Sequence, residues 1–185
     1  MSAETIGRNF PPVVTLDDLA VMNDVDENGH RFELSPEGVL SVMPPSGSDH
    51  AVVASKLQVW LFMAGWPAEQ VLQALGVRIP GPMSDGGRIP DLTVWAHPIP
   101  STVWLGLNDL ILAVEIVSPS SVTMDQVIKL REYAAAGVPR YWIVDRDAAQ
   151  TVIQHVLGPD GTYEVVSKTP LAWLLQTDPA EHLGR

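Results

Sequence analysis

The 185-residue sequence predicts a mixed α/β domain, and three observations predict it. Stretches with helical spacing and stretches with strand alternation are interleaved along the chain, which places helices against a sheet. The run Leu110–Val117 is almost wholly apolar, as a central strand covered on both faces must be. Clusters of Pro, Gly, Ser and Asp separate these stretches at short intervals, and no repeat or low-complexity segment interrupts them. A chain of this length hides roughly 70% of its unfolded surface, enough for one core. One domain is therefore expected over residues 15–176, with a flexible arm over 1–14 and a tail over 177–185.

Thr15 is a good N-cap and Asp17 and Asp18 put acids in the first turn, so a short helix is expected over about 16–23. Asp24 to His30 breaks it. The alternating segment 31–34, the turn 35–38 and the segment 39–43 predict a hairpin, which Pro44 and Pro45 end. The run from His50 to Gly65 is too long and too apolar for a strand and reads as a buried helix with Ala51, Ala54, Leu57 and Leu61 on one stripe. A single strand is expected over 71–79, a glycine-rich loop over 81–87, and strands over 92–96 and 110–117. Ser118 to Ser121 then introduces a helix over about 122–136, stopped by Gly137 and Pro139. A strand over 140–145, a hairpin of 151–157 with 163–167, and a short element at 171–175 complete the chain.

Charge and composition exclude several classes of function. The chain has no cysteine, which removes disulfides, thiolate metal sites and cysteine nucleophiles and agrees with a cytoplasmic location. Its longest apolar run, Val59 to Trp66, is far shorter than the ~20 residues of a spanning helix, so no membrane association is expected. The net charge of −11 argues against binding nucleic acid by bulk charge. That charge is uneven, however: residues 1–50 carry −7 and residues 51–150 only −2. There is no Gly-x-Ser-x-Gly elbow, no His-Glu-x-x-His pair and no lysine in the glycine-rich loop that could make it a phosphate loop.

Glu115 conflicts with its surroundings. An ionised carboxylate in this apolar strand costs several kcal/mol unless it is paired or bound to a metal. If strands 92–96 and 110–117 form an antiparallel hairpin, residues whose numbers add to about 206 lie opposite each other, and Asp91 faces Glu115. Thr93, Trp95, Ala113 and Ile111 then share that face. Two carboxylates ~5 Å apart at a sheet edge can hold a hard divalent cation such as Mg²⁺, with a strand carbonyl, that of Ile116, as a further ligand. On the following helix Asp125, Lys129 and Tyr133 form one stripe. Spacing alone favours reading Asp125 and Lys129 as a solvent-exposed ion pair.

The stretches Pro90-Asp91, Glu115-x-Val-Ser-Pro-Ser, Lys129-x₃-Tyr133 and Gly137-Val-Pro-x-Tyr-Trp142, in this order and spacing, resemble the bacterial family of putative restriction endonucleases within the PD-(D/E)xK nuclease superfamily. Phe32 to Leu40, Met43 to Ser46 and His50 resemble the family's amino-terminal half. The resemblance implies a restriction-endonuclease-like core, a central mixed β-sheet flanked by α-helices, with a site at one edge. It implies that Asp91 and Glu115 are the metal carboxylates, with Mg²⁺ or Mn²⁺ as cofactor. The superfamily's lysine, two positions after the second acid, is replaced here by Val117, and Lys129 is its substitute. Glu33 matches an amino-terminal acid of the family; His50 is a site residue or a helix-start residue, and Tyr133 a site or packing residue.

On this reading the chain is a metal-dependent endonuclease acting on DNA, with Asp91, Glu115 and Lys129 catalytic. A homodimer is expected, because two sites related by a two-fold axis cut both strands of a duplex. Two other readings use the same residues: a degenerate member of the fold that binds DNA or regulates, and a two-carboxylate hydrolase acting on a sugar.

Overall fold

The computed structural model describes residues 13–119 and 121–184, so most of the expected arm, residues 1–12, lies outside the described residues. Helix α1 (Leu16–Val25) starts where its cap dictates: Thr15 and Asp18 form a reciprocal capping box. The hairpin of β1 (Arg31–Leu34) and β2 (Leu40–Met43) follows, in the register Arg31 opposite Met43. Helix α2 (Ser48–Met63) buries Val53, Ala54, Leu57, Trp60 and Leu61. Ala54, Leu57 and Leu61 of the expected stripe are buried, whereas Ala51, in the helix's first turn, is exposed.

The expected strand 71–79 is two strands, β3 (Val71–Gln73) and β4 (Val77–Ile79), in different sheets. Ala74, at φ 51°, turns the chain between them. The expected loop 81–87 holds a strand in its second half, β5 (Gly86–Arg88). Glycine is required there by close approach: a Cβ on Gly87 would lie 2.7 Å from the Trp104 ring and 2.9 Å from Leu16 and Leu19. Gly87→Ala is expected to destabilise the protein by about 1–3 kcal/mol through overpacking, read as a lower denaturant midpoint at unchanged slope.

Strands β6 (Leu92–Trp95), β7 (Leu110–Ile116), β8 (Arg140–Val144), β9 (Thr151–Leu157) and β10 (Tyr163–Pro170) follow. One sheet is antiparallel, in the order β2-β1-β5-β4; the other has the order β10-β9-β8-β7-β6-β3. Only β7 and β8 pair in parallel among the named strands, and parallel neighbours need a crossover. Residues 117–139 supply it, with helix α3 (Lys129–Ala135) at its centre. Gly137, at φ 78°, and the bond from Val138 N to the Tyr133 carbonyl end that helix.

The larger sheet is covered on both faces. Helix α2 packs on one, against Leu92, Val94, Leu112, Val114, Ile116 and Trp142. Tyr133 and Val138 of the crossover pack on the other, with Trp95, Ala113, Val117, Tyr141 and Ile143. Burying each large apolar side chain contributes ~2 kcal/mol, so the crossover helix is held by the sheet rather than by its own seven residues. A third cluster, Leu19, Leu34, Ile89 and Trp104, fixes α1 on the smaller sheet.

The β6–β7 register is Leu92 opposite Val114, Thr93 opposite Ala113 and Val94 opposite Leu112, numbers adding to 206. The pairing then slips, with Trp95 opposite Leu110. The slip turns Ile111 away from the face of Ala113, onto the α2 side, against the expected alternation. Two short helices, α4 (Leu171–Leu174) and α5 (Pro179–Leu183), close the chain. Residues 177–184, expected as a tail, are tied down: Trp60 Nε1 donates to the Thr177 carbonyl and Leu183 is buried. Among the described residues, no helix is long and apolar enough to cross a membrane.

Candidate active site

Where the two sheets meet, β1, β5, the start of β6, the end of β7, the turn Met124–Ile128 and α3 bring five acids and three bases together. β1 projects Arg31 and Glu33, two residues apart and so on one side of the strand. Asp91 lies just before β6, its N–H donating to the Val114 carbonyl. One Asp91 oxygen, Oδ2, accepts from Ile116 N at 2.8 Å and lies 2.9 Å from His50 Nε2; the other, Oδ1, accepts from Arg31 Nη1 at 3.0 Å. Asp91 and Glu115 thus lie at the same end of neighbouring strands, as the register requires.

Glu115 points to the α3 side of the sheet, between Ala113 and Val117 in the alternation. Its Oε1 accepts from Lys129 Nζ at 2.9 Å and from Tyr133 Oη at 3.3 Å. Lys129 is 2% exposed and donates also to Glu33 at 3.2 Å, with Asp125 Oδ1 at 3.6 Å. The solvent-exposed ion pair that spacing favoured is therefore a buried one. A π-helical turn, Met124–Ile128, aims both of its members inward. The Lys129 N–H reaches back five residues to the Met124 carbonyl, and the Asp125 carbonyl accepts from Tyr141 Oη at 2.8 Å instead. His50 is both a first-turn residue of α2 and a partner of Asp91. Tyr133 is both fully buried packing and a donor to the site.

Glu33 links Lys129 to Arg88. Its Oε1 accepts from Ile89 N at 2.8 Å, and its Oε2 accepts from Arg88 Nη1 at 3.2 Å. Arg88, fully buried, also forks onto both oxygens of Glu132 on α3. Sequence reasoning missed Arg88, Glu132, Arg31 and Asp125 as site residues. No local pattern marks Arg88, because its burial depends on Glu132, 44 residues away, and on Glu33, 55 away.

The surroundings drive these acids apart. Burial opposes ionisation of Glu33, but Lys129 and Arg88 outweigh it and hold its pKa below the ordinary value. Burial likewise opposes ionisation of Asp91, and His50, Arg31 and the Ile116 amide outweigh it. Glu115 goes the other way: burial, together with the nearby Asp91, Asp125 and Glu33, pushes it well above the ordinary range despite Lys129. Burial raises Asp125 too.

The cluster holds five acids (Glu33, Asp91, Glu115, Asp125, Glu132) against three bases (Arg31, Arg88, Lys129), a formal excess of two acids. Among the described residues, no three of the acids and histidines converge as a finished metal cage. The donors do fit Mg²⁺, which takes one or two carboxylates and keeps several waters. The surrounding cavity, about 560 Å³, is lined by Arg31, Glu33, Asp91, Glu115, Ile116 and Lys129, with Ser46, Ser48, Arg146 and Gln150 also in its wall.

Residues 15–184 match the family model described as "Uma2: Putative restriction endonuclease". The chain is also similar to a solved structure described as a putative nuclease belonging to DUF820 from Anabaena variabilis, at 19% identity, 82% coverage of this chain, 83% of that one and a TM-score of 0.61. At that identity the likeness is one of fold, and it agrees with the mixed sheet flanked by helices. No curated protein matches the chain.

Proposed function

The chain belongs to the Uma2 family of putative restriction endonucleases, and from that premise we propose that it is a Mg²⁺-dependent endonuclease hydrolysing phosphodiester bonds of DNA. The observation that carries this reading is the meeting of Asp91 and Glu115 at one strand end, with the Lys129 ammonium 2.9 Å from Glu115 and facing the same cavity. Asp91, Glu115 and the Ile116 carbonyl would hold the cation, and Mn²⁺ would suit the same oxygens. When bound, it supplies electrophilic polarisation of the scissile phosphate.

The remaining work belongs to the protein's own side chains. Lys129 orients the attacking water and stabilises charge developing on the phosphate oxygens. Glu33 and Asp125 keep Lys129 charged: burial alone would lower its pKa, and Glu115, Glu33 and Asp125 raise it instead. Tyr133 Oη holds the Glu115 carboxylate in position. The protein's acidity is concentrated before residue 51, so the cation and the local bases offset repulsion of the nucleic acid backbone. A homodimer would present two such sites to the two strands.

Supercoiled plasmid tests this reading, incubated with Mg²⁺, Mn²⁺ or chelator. Asp91→Ala is expected to lower cleavage at least about 100-fold while circular dichroism stays native. Wild-type cleavage rates in Asp91→Ala would sink the proposal. Duplex binding by the unmodified protein without any cleavage would replace it with a degenerate, DNA-binding member of the fold.

A further inference from the structure

Arg31 stands apart from the other cations of the cluster. Arg88 and Lys129 have side chains 0% and 3% exposed, each locked between two or more carboxylates, whereas that of Arg31 is 24% exposed and lies in the cavity wall. Its backbone is fixed at the first rung of β1, opposite Met43. Its side chain reaches Asp91 Oδ1 through Nη1 and Ser46 Oγ through Nη2, at 2.9 Å. The two oxygens of Asp91 are also unequal. Oδ2 is held by the Ile116 amide and by His50, while among the described residues Oδ1 is held by Arg31 alone.

A divalent cation and a guanidinium cannot share Oδ1 at about 3 Å without strong repulsion, since like charges at that range interact by several kcal/mol even at an effective dielectric constant of 20. A cation bound at Asp91 would therefore compete with Arg31 for Oδ1, the oxygen that among the described residues Arg31 alone holds, and Arg31 would move. It can do so without opening the core, because its side chain already borders the cavity. Once released, its planar fork needs an anion, and a phosphate in the same cavity presents the matching pair of oxygens.

We propose that Arg31 is a substrate-binding residue of this site, holding Asp91 Oδ1 in the cation-free protein and passing to a backbone phosphate of the nucleic acid when the cation takes that oxygen. The proposal rests on the reading of Asp91 as a metal carboxylate.

Two binding measurements on the purified full chain separate this role from a structural one. Mn²⁺ is titrated calorimetrically without nucleic acid, and a short fluorescent DNA duplex is titrated with Ca²⁺ present, for wild type, Arg31→Gln, Arg31→Lys and Asp91→Asn. Arg31→Gln is expected to bind Mn²⁺ about tenfold more tightly, because its competitor is gone, and the duplex about tenfold more weakly. A residue that merely supports the fold would weaken both. Arg31→Lys keeps the charge but not the fork, so duplex binding falls while Mn²⁺ binding stays near wild type. Should Arg31→Gln not fold, the lysine variant decides, and unchanged duplex affinity overturns the proposal. Mn²⁺ binding unchanged or weakened in Arg31→Gln, but lost in Asp91→Asn, overturns the role of Arg31 and leaves the metal site standing. Absence of Mn²⁺ binding from both wild type and Arg31→Gln overturns the site and the role together.

Discussion

Glu115→Gln is expected to lower cation-dependent cleavage by roughly 10³-fold and, with chelator present, to raise the thermal midpoint of the protein by about 2–4 °C. Both effects come from the same carboxylate. The amide keeps an oxygen for Lys129 and Tyr133 but cannot supply the charge that a cation needs. In the metal-free protein that charge is a burden: burial and the neighbouring Asp91, Asp125 and Glu33 oppose it, and Lys129, shared among three carboxylates, compensates only in part. The sign of the pH dependence follows. Because the folded-state pKa of Glu115 is raised, the native protein binds more protons than the unfolded chain above the ordinary value of 4.5, so stability falls as pH rises from there through the raised value. Glu33 and Asp91 are depressed and act the other way: their stabilisation is present above the ordinary carboxylate value and is lost as pH falls through their lowered ones. Denaturant unfolding in chelator across this range should show a decline above pH 4.5 in the wild type that is smaller in Glu115→Gln, where the raised Asp125 carboxyl still contributes. A variant less stable than wild type at neutral pH would contradict the account.

The sequence made this carboxylate visible because strands have a period of two and Glu115 alone breaks an apolar run. The same period, with an antiparallel register in which paired numbers add to 206, places Asp91 at the same strand end as Glu115. What stayed hidden depends on contacts that no local pattern records. Arg88 and Glu132 are 44 residues apart, and each in isolation is an ordinary polar residue, one after two glycines and one on a helix. The glycines themselves read as loop, because sequence gives no sign that Trp104, Leu16 and Leu19 would crowd a Cβ there. Lys129 was legible as a residue but not as a buried one, since its burial depends on the π-helical turn, and that turn on a hydroxyl from Tyr141 on another element. The division into two sheets was likewise concealed, because Ala74 is a residue with no turn signature.

The largest loss of stability is expected from Arg88→Ala, about 3–5 kcal/mol, since it leaves Glu132 and one side of Glu33 buried without their cation. The effect measures the stranded charges rather than the worth of the pair, and a second variant separates the two. Arg88→Met combined with Glu132→Leu removes cation and anion together and fills the space with apolar atoms, so it should recover most of that loss in denaturant unfolding. Glu33 then keeps the Ile89 amide and Lys129 as its partners. If Arg88 serves the site by fixing Glu33, and through it the Lys129 ammonium, the doubly substituted protein should be nearly as stable as wild type yet cleave more slowly, with the loss in kcat rather than in KM. A double variant as unstable as Arg88→Ala would mean instead that the guanidinium holds the two sheets together through packing and not through charge.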